Sequence, residues 1–399
     1  MPSHNALIVN EGVSTKGAKM TQPQKPARDA TWDIARGIGM MLVIYGHLLE
    51  PLYPANPAMG RGIIESAAVQ WQVMYSFHMM LFFLVSGAVN RNLPKKAWPD
   101  VLRGSLRLLA LAWVVHIIGA FFAMAAGYAP PEATRSVWDA AVYVIDPILE
   151  GYCWSVGVLW FLTSLCCVQF LAYVLLRYLP ALIVILAAVA GTAAVVYFDA
   201  PNYFLFRTWM PGLAFFALGY LFSQWNVRWP FWLCIPLLAA VIFLAPLNSG
   251  CSFSFSGPCE IYGTRPFGIR MFGGSYGFLP LFFLSSLLGS IMIVSLSAGL
   301  ARFRASGIFA YAGRQSLNLF IINGFVATFL PPYIQQIPWP PLTAPMYAGL
   351  AVVVIAAHLI ALRALKPGLT LLDEAAVAIA NGLVRLVAGE KQAAASKPA

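Results

Sequence analysis

The stretch "WDIARGIGMMLVIYGHLL", residues 32–49, has the apolar character of a membrane span. Yet it carries Arg36 near its start and His47 deep inside. Eleven residues of α-helix turn about 20° past three full turns and rise about 16 Å, so the two side chains share one helix face. A charged residue at the bilayer centre costs at least about 2.5–3.5 kcal/mol, so ionisable groups there usually face the bundle interior. A face carrying both residues is read most economically as the wall of a polar cavity entered from the Arg36 end. Two plainer readings stand beside it: Arg36 as a boundary anchor that snorkels to headgroups, and His47 as an interhelical hydrogen-bonding group. Asp33 lies three residues before Arg36 and can pair with it; Glu50 lies three after His47 and can orient its imidazole.

The rest of the chain agrees with a membrane setting. Of its 399 residues 60% are hydrophobic and only 10% charged, with a mean hydropathy of +0.74; a soluble surface needs about 25% charged residues. The expected fold is an all-α polytopic integral membrane protein, with about ten transmembrane helices around a polar cavity. A hydrocarbon core of about 30 Å takes roughly 20 apolar residues per helix. Ten such segments fall near 34–54, 69–89, 105–126, 157–178, 181–198, 204–224, 230–247, 276–298, 308–330 and 345–365. Placing the amino terminus inside puts twenty of the 25 Lys and Arg residues on the cytoplasmic side, leaving Arg61, Arg135, Arg207, Arg265 and Arg270 outside. The positive-inside rule then puts both termini in the cytoplasm, and the location expected is a bacterial inner (plasma) membrane. The net charge of +10 is mainly this topology signal, so no nucleic-acid partner is expected, and no metal-ligand spacing occurs.

Three regions follow. Residues 1–28 are polar and aperiodic and read as a disordered cytoplasmic tail. Residues 29–366 form the transmembrane domain. Residues 367–399 contain an apolar periodicity with sparse charges, read as an amphipathic helix on the inner surface or a packing appendage, followed by a tail. No cleavable signal pattern precedes the first span. The longer outer loops are 127–156 and 248–275. The second holds Cys251 and Cys259 with seven residues between them, which an oxidising compartment would allow to form a disulfide; two free thiols are the alternative.

An arginine, ten residues and a histidine in the first span resemble the signature of the membrane-bound acyltransferase 3 superfamily. "YSFHMMLFFLVSGAVNR" (75–91) and "LWFLTSL" (159–165) resemble its branch similar to fucose 4-O-acetylases and other polysaccharide O-acetyltransferases, and "AGRQSLNLFIIN" (312–323) its late Gly-x-x-Ser-Leu element. The matches run in family order over about residues 30–365. The resemblance implies about ten spans and transfer of an acyl group, often acetyl from acetyl-CoA, to hydroxyls of cell-surface polysaccharides, oligosaccharides or glycolipids. It implies roles for Arg36 and His47 and, by the branch pattern, for His78. Many members carry a histidine where this chain has Asn323, so that histidine's role does not transfer.

The residues can support this chemistry. Acyl transfer to a hydroxyl needs a proton acceptor, and histidine's ordinary pKa near neutrality suits it; a covalent acyl-histidine is the alternative. His78 can hold the partner or donate to the oxyanion. His116 and His358 lie in spans without a motif and read as structural. The phosphates of acyl-CoA need cations on the inner face, which Lys96, Arg103 and Arg107 supply, with Arg36 further in; arginine matches phosphate bidentately. Expected partners are a saccharide acceptor, membrane lipids and proteins of cell-envelope polysaccharide biosynthesis. The competing reading is a polytopic transporter or lipid-linked glycan flippase, in which polar residues line a path; such proteins usually show inverted repeats or paired broken helices, and the sequence displays neither.

Overall fold

The computed structural model describes residues 29–52, 65–225, 227, 229–248, 261–262, 265–266, 269, 271–337, 339 and 342–388. The tail 1–28 and the pair Cys251 and Cys259 lie outside the described residues. Fifteen α-helices are described: α1 Ala30–Leu49, α2 Glu65–Tyr75, α3 His78–Val89, α4 Trp98–Ala125, α5 Val137–Glu150, α6 Trp160–Tyr178, α7 Ala181–Tyr197, α8 Phe206–Gln224, α9 Cys234–Leu244, α10 Leu279–Leu300, α11 Gly307–Arg314, α12 Ser316–Phe329, α13 Pro331–Gln336, α14 Ala344–Ala364 and α15 Lys366–Ala388. A two-residue antiparallel ladder, Ile261–Tyr262 with Arg265–Pro266, is the strand content among the described residues.

Among the described residues, six helical segments are long and apolar enough to cross a membrane: 66–89, 98–125, 157–178, 203–224, 279–300 and 344–364. Shorter apolar helices cover 181–197, 231–247 and 316–329, while α1 carries Asp33 and Arg36. Ten crossings would require these four to cross as well. Val352, Val353 and Ile360 of α14 are about two-thirds exposed, an apolar flank suited to lipid.

Local rules set the helix ends. Asp29 caps α1 by accepting from the Thr31 amide at 2.9 Å. Ser136 caps α5, and Gly151 ends it at φ 79°, the left-handed turn glycine favours. Two helix crossings are made backbone to backbone. A Cβ on Gly37 of α1 would stand 1.9 Å from the Phe309 carbonyl oxygen of α11, and one on Gly313 of α11 would stand 1.8 Å from that of Asp33. Gly87 of α3 and Gly219 of α8 meet the carbonyls of Phe216 and Leu84 in the same way, each at 1.8 Å. Without a hydrophobic force between helices in lipid, such small-residue crossings give the closest packing.

Two of the predicted spans are interrupted, which the sequence reading did not anticipate. The second breaks at Ser76–Phe77, between α2 and α3, and the Ser286 hydroxyl of α10 donates to the freed Ser76 carbonyl at 2.6 Å. Another breaks at Gln315, between α11 and α12. Irregular backbone at membrane depth is tolerated where protein groups satisfy it or it borders a cavity. The carboxy-terminal helix α15 turns Leu369, Ala376, Ala380 and Val384 inward and docks along α4, where Asp373 accepts from Arg107 at 2.7 Å.

Candidate active site

The break in the second span places His78 at the first residue of α3. Its Nδ1 lies 2.7 Å from the Met74 carbonyl oxygen, which also accepts from the Phe77 amide at 3.2 Å. Met79 follows into the same wall, and Tyr75 sits one turn before. The Tyr75 ring stacks on Trp71 with centroids 4.1 Å apart and stands edge-on to His78 at 4.7 Å and to His47 at 6.5 Å. The three rings of α2–α3 thus face the carboxy-terminal third of α1.

Together they line a cavity of about 640 Å³. Helix α1 and its C-cap contribute His47 and Glu50; α2–α3 contribute Trp71, Tyr75 and His78; the segment before α6 contributes Tyr152 and Trp154, and α6 opens with Trp160; α12 and α13 contribute Thr328 and Gln335. Most of these gather around the carboxy-terminal end of α1.

The loop wall is held by several independent ties. Tyr152 and Trp154 stack nearly parallel, 4.9 Å and 10° apart. Asn202 donates to the Tyr152 hydroxyl at 2.5 Å and to the Phe272 carbonyl at 2.8 Å. The Ser155 hydroxyl lies 2.7 Å from His116 Nδ1 and 2.6 Å from the His116 carbonyl, and the Gly157 amide donates to Thr328 at 3.0 Å. Four non-glycine residues of this end, Cys153, Asp199, Phe204 and Leu205, have φ between 46° and 62°. Such conformations persist only where the surroundings enforce them, and they cluster at functional sites. Cys153 is fully buried there, and burial pushes its thiol up to about 12, so it packs and is no nucleophile. Burial also raises the Tyr152 hydroxyl, with the bond from Asn202 opposing it, which keeps the phenol neutral.

The residues singled out in the sequence lie in different parts of the structure. His47, His78 and Glu50 meet at the cavity. Glu50 accepts from the Tyr75 hydroxyl at 3.3 Å, while the imidazole of His47 meets the Asn323 side-chain amide of α12, 2.7 Å from Nδ1. Arg36 and Asp33 lie at the other end of α1. Asp33 is buried, with an Arg314 nitrogen of α11 at 4.0 Å, and Arg36 is half-buried and off the cavity wall. The lining of this cavity thus includes His47 without Arg36. The Gly37–Gly313 crossing brings α11 onto the amino-terminal half of α1. The basic residues lie apart again: Arg103 pairs with Asp100 at 2.8 Å, Arg107 with Asp373 at 2.5 Å, and Lys96 reaches the Asn90 side chain at 3.4 Å. His116 and His358 serve packing: His116 joins the loop wall to α4, and His358 Nδ1 lies 2.8 Å from the Val354 carbonyl.

Sequence reasoning missed Asn323, Tyr75, Trp71 and Trp160 as site residues. Asn323 was visible only as a departure from the late motif, since 276 residues separate it from His47. No metal-binding group of three or more His, Cys, Asp or Glu occurs among the described residues.

Residues 29–362 match the family described as an acyltransferase domain. The chain is also similar to the nodulation protein NolL of Mesorhizobium japonicum, 25% identical over 256 residues, which are 60% of this chain and 62% of that protein. The match therefore spans less than two thirds of that relative's length. No solved structure matches the chain.

Proposed function

The chain belongs to this acyltransferase family, and on that premise we propose that it is an integral-membrane O-acyltransferase. It moves an acyl group, acetyl in the first instance, from cytoplasmic acyl-CoA to a hydroxyl of a cell-surface polysaccharide, oligosaccharide or glycolipid. One observation carries the reading: imidazoles from two different helices, His47 and His78, line a single cavity walled by aromatic rings. The chemistry asks for a proton acceptor for the attacking hydroxyl and a donor for the developing oxyanion. Two imidazoles at one cavity can supply both.

The aromatic wall suits a saccharide. A pyranose presents apolar C–H faces, and the negative π-face of an aromatic ring attracts them. The stacked pair Tyr152 and Trp154 provides such a platform beside Thr328 and Gln335, whose polar groups can meet ring hydroxyls. The donor's phosphates are assigned to the basic inner end, to Arg36, Lys96, Arg103 and Arg107. Phosphate there competes with Asp100 for Arg103 and with Asp373 for Arg107. The long pantetheine arm then carries the thioester the roughly 16 Å along α1 between Arg36 and His47. Both termini are placed in the cytoplasm and the protein in a bacterial inner membrane, beside other proteins of cell-envelope polysaccharide assembly.

The test is transfer from radiolabelled acetyl-CoA by the purified protein to a panel of saccharides. Acetylated product that disappears in His47→Ala and His78→Ala, with both variants still eluting as folded protein, is expected. Saccharide binding without turnover of the thioester would replace the enzyme by the transporter reading.

A further inference from the structure

The two cavity imidazoles are held by partners of different kinds, and that difference fixes their tautomers. A backbone carbonyl only accepts, so His78 Nδ1, 2.7 Å from the Met74 oxygen, carries a proton. A neutral His78 therefore presents an Nε2 lone pair, and no group of the protein occupies that nitrogen among the described residues. His47 faces an amide, whose two ends are told apart by their bonding. Asn323 is 1% exposed and directs its nitrogen at His47 Nδ1, leaving its own carbonyl oxygen without a partner. The amide nitrogen has no free lone pair to accept with, so facing His47 Nδ1 it can only donate. The Asn323 amide thus donates to His47 Nδ1, and the His47 proton sits on Nε2.

We infer that the two histidines divide the reaction, His78 as the base and His47 as the N–H donor, with Asn323 as the positioning residue that holds His47 in the donor tautomer. The inference rests on the O-acyltransferase reading and reverses the roles expected from the sequence, where His47 takes the proton. In the step itself the acceptor hydroxyl gives its proton to His78 Nε2 as its oxygen bonds to the thioester carbonyl carbon. The carbonyl π-pair moves onto oxygen and is met by the His47 Nε2–H. When the tetrahedral intermediate collapses, that pair re-forms C=O and the C–S bond breaks. The thiolate leaves and takes the proton from the His78 imidazolium. The products are the ester and the free thiol, and both histidines return to their starting tautomers. The Asn323 bond also explains how this chain works without the late-motif histidine: an amide cannot exchange a proton, but it can fix one.

The tautomers are directly measurable. The full-length protein in detergent, labelled with ¹⁵N-histidine, has only five histidines, and His47→Gln and His78→Gln identify the two signals by loss. Expected are a pyridine-type Nδ1 and a pyrrole-type Nε2 for His47, and the opposite for His78. A protonated His47 Nδ1, or a protonated Nε2 on neutral His78, would overturn the assignment whether or not transfer is detected. In Asn323→Ala the His47 signals should become those of a tautomer mixture while His78 is unmoved; an unchanged His47 would remove Asn323 from its role. For kcat, His78→Gln should lose at least about 100-fold, since a general base is worth about 10²–10⁴. His47→Gln keeps an N–H donor and should lose about 10-fold or less, against about 10²–10³ for His47→Ala. The reverse order between the two Gln variants would return the base to His47. Absence of transfer by the parent protein would defeat the enzyme reading and leave the tautomer result standing on its own.

Discussion

The crossing of α1 and α11 offers the sharpest mechanical test, because the contact is between backbones and no side chain can yield. Gly37→Ala places a methyl 1.9 Å from the Phe309 oxygen, whereas real Cβ contacts essentially never fall below 3.0 Å. The helices must separate by roughly 1.1 Å or tilt. Overpacking of this kind costs about 1–3 kcal/mol. Gly313→Ala meets the Asp33 oxygen at 1.8 Å and should cost about the same. The two glycines also face one another, each with the other's amide nitrogen 3.0 Å from its added Cβ. Once the first methyl has parted the helices, the second finds room. The double variant should therefore cost clearly less than the two single variants together, with a coupling of about 0.5–3 kcal/mol. Gly349→Ala, inside α14 with nothing within 4 Å, is the control and should stabilise slightly, by about 0.5–1 kcal/mol. The assay is thermal unfolding of purified protein at one fixed scan rate, because unfolding of such proteins is commonly irreversible, read alongside transfer activity. A shift of the amino-terminal half of α1 also misplaces His47 further along the same helix, and a 1 Å misplacement can cost about 10²-fold in rate. Single variants with parental stability, or strictly additive losses, would refute the backbone contact.

Trp154→Ala removes half of the stacked pair on the cavity wall. It should raise the acceptor KM about 3–10-fold, as expected for a lost ring contact of about 0.5–1.5 kcal/mol, and leave the KM for acetyl-CoA unchanged; the pair of KM values checks this. Arg107→Ala and Asp373→Asn separate two roles. If Arg107 holds phosphate, only its own loss raises the KM for acetyl-CoA; if it merely clamps α15, both variants behave alike and cost at most about 1 kcal/mol, as for a half-exposed ion pair. Reporter fusions after residues 95 and 255 should read inside and outside respectively, and the opposite pattern would put coenzyme A on the wrong face. Mass spectrometry of the unreduced peptide should find Cys251 bonded to Cys259, and two free thiols would refute it.

Composition and period alone determined the helical membrane character. Each of the ten apolar segments proposed from the sequence contains helix, because an apolar run of about 20 residues satisfies its backbone internally whatever surrounds it. The Arg36–His47 spacing likewise predicts a shared face, since that follows from helix geometry. What a face meets is another matter. The glycine crossing sets α11 against Asp33 and Gly37, while His47 lies on the cavity wall, and nothing local in α1 distinguishes the two outcomes. The break at Ser76–Phe77 was not legible either, because the Ser286 hydroxyl that stabilises it comes from α10, 210 residues away. His78 was found through a motif, but its protonated nitrogen depends on a carbonyl exposed by that break. Asn323 looked like a missing histidine, and only its position 2.7 Å from His47 makes it part of the site. Short-range periodicity is written in neighbouring residues, whereas a proton's place on an imidazole is decided by whichever distant group the packing brings to the other nitrogen.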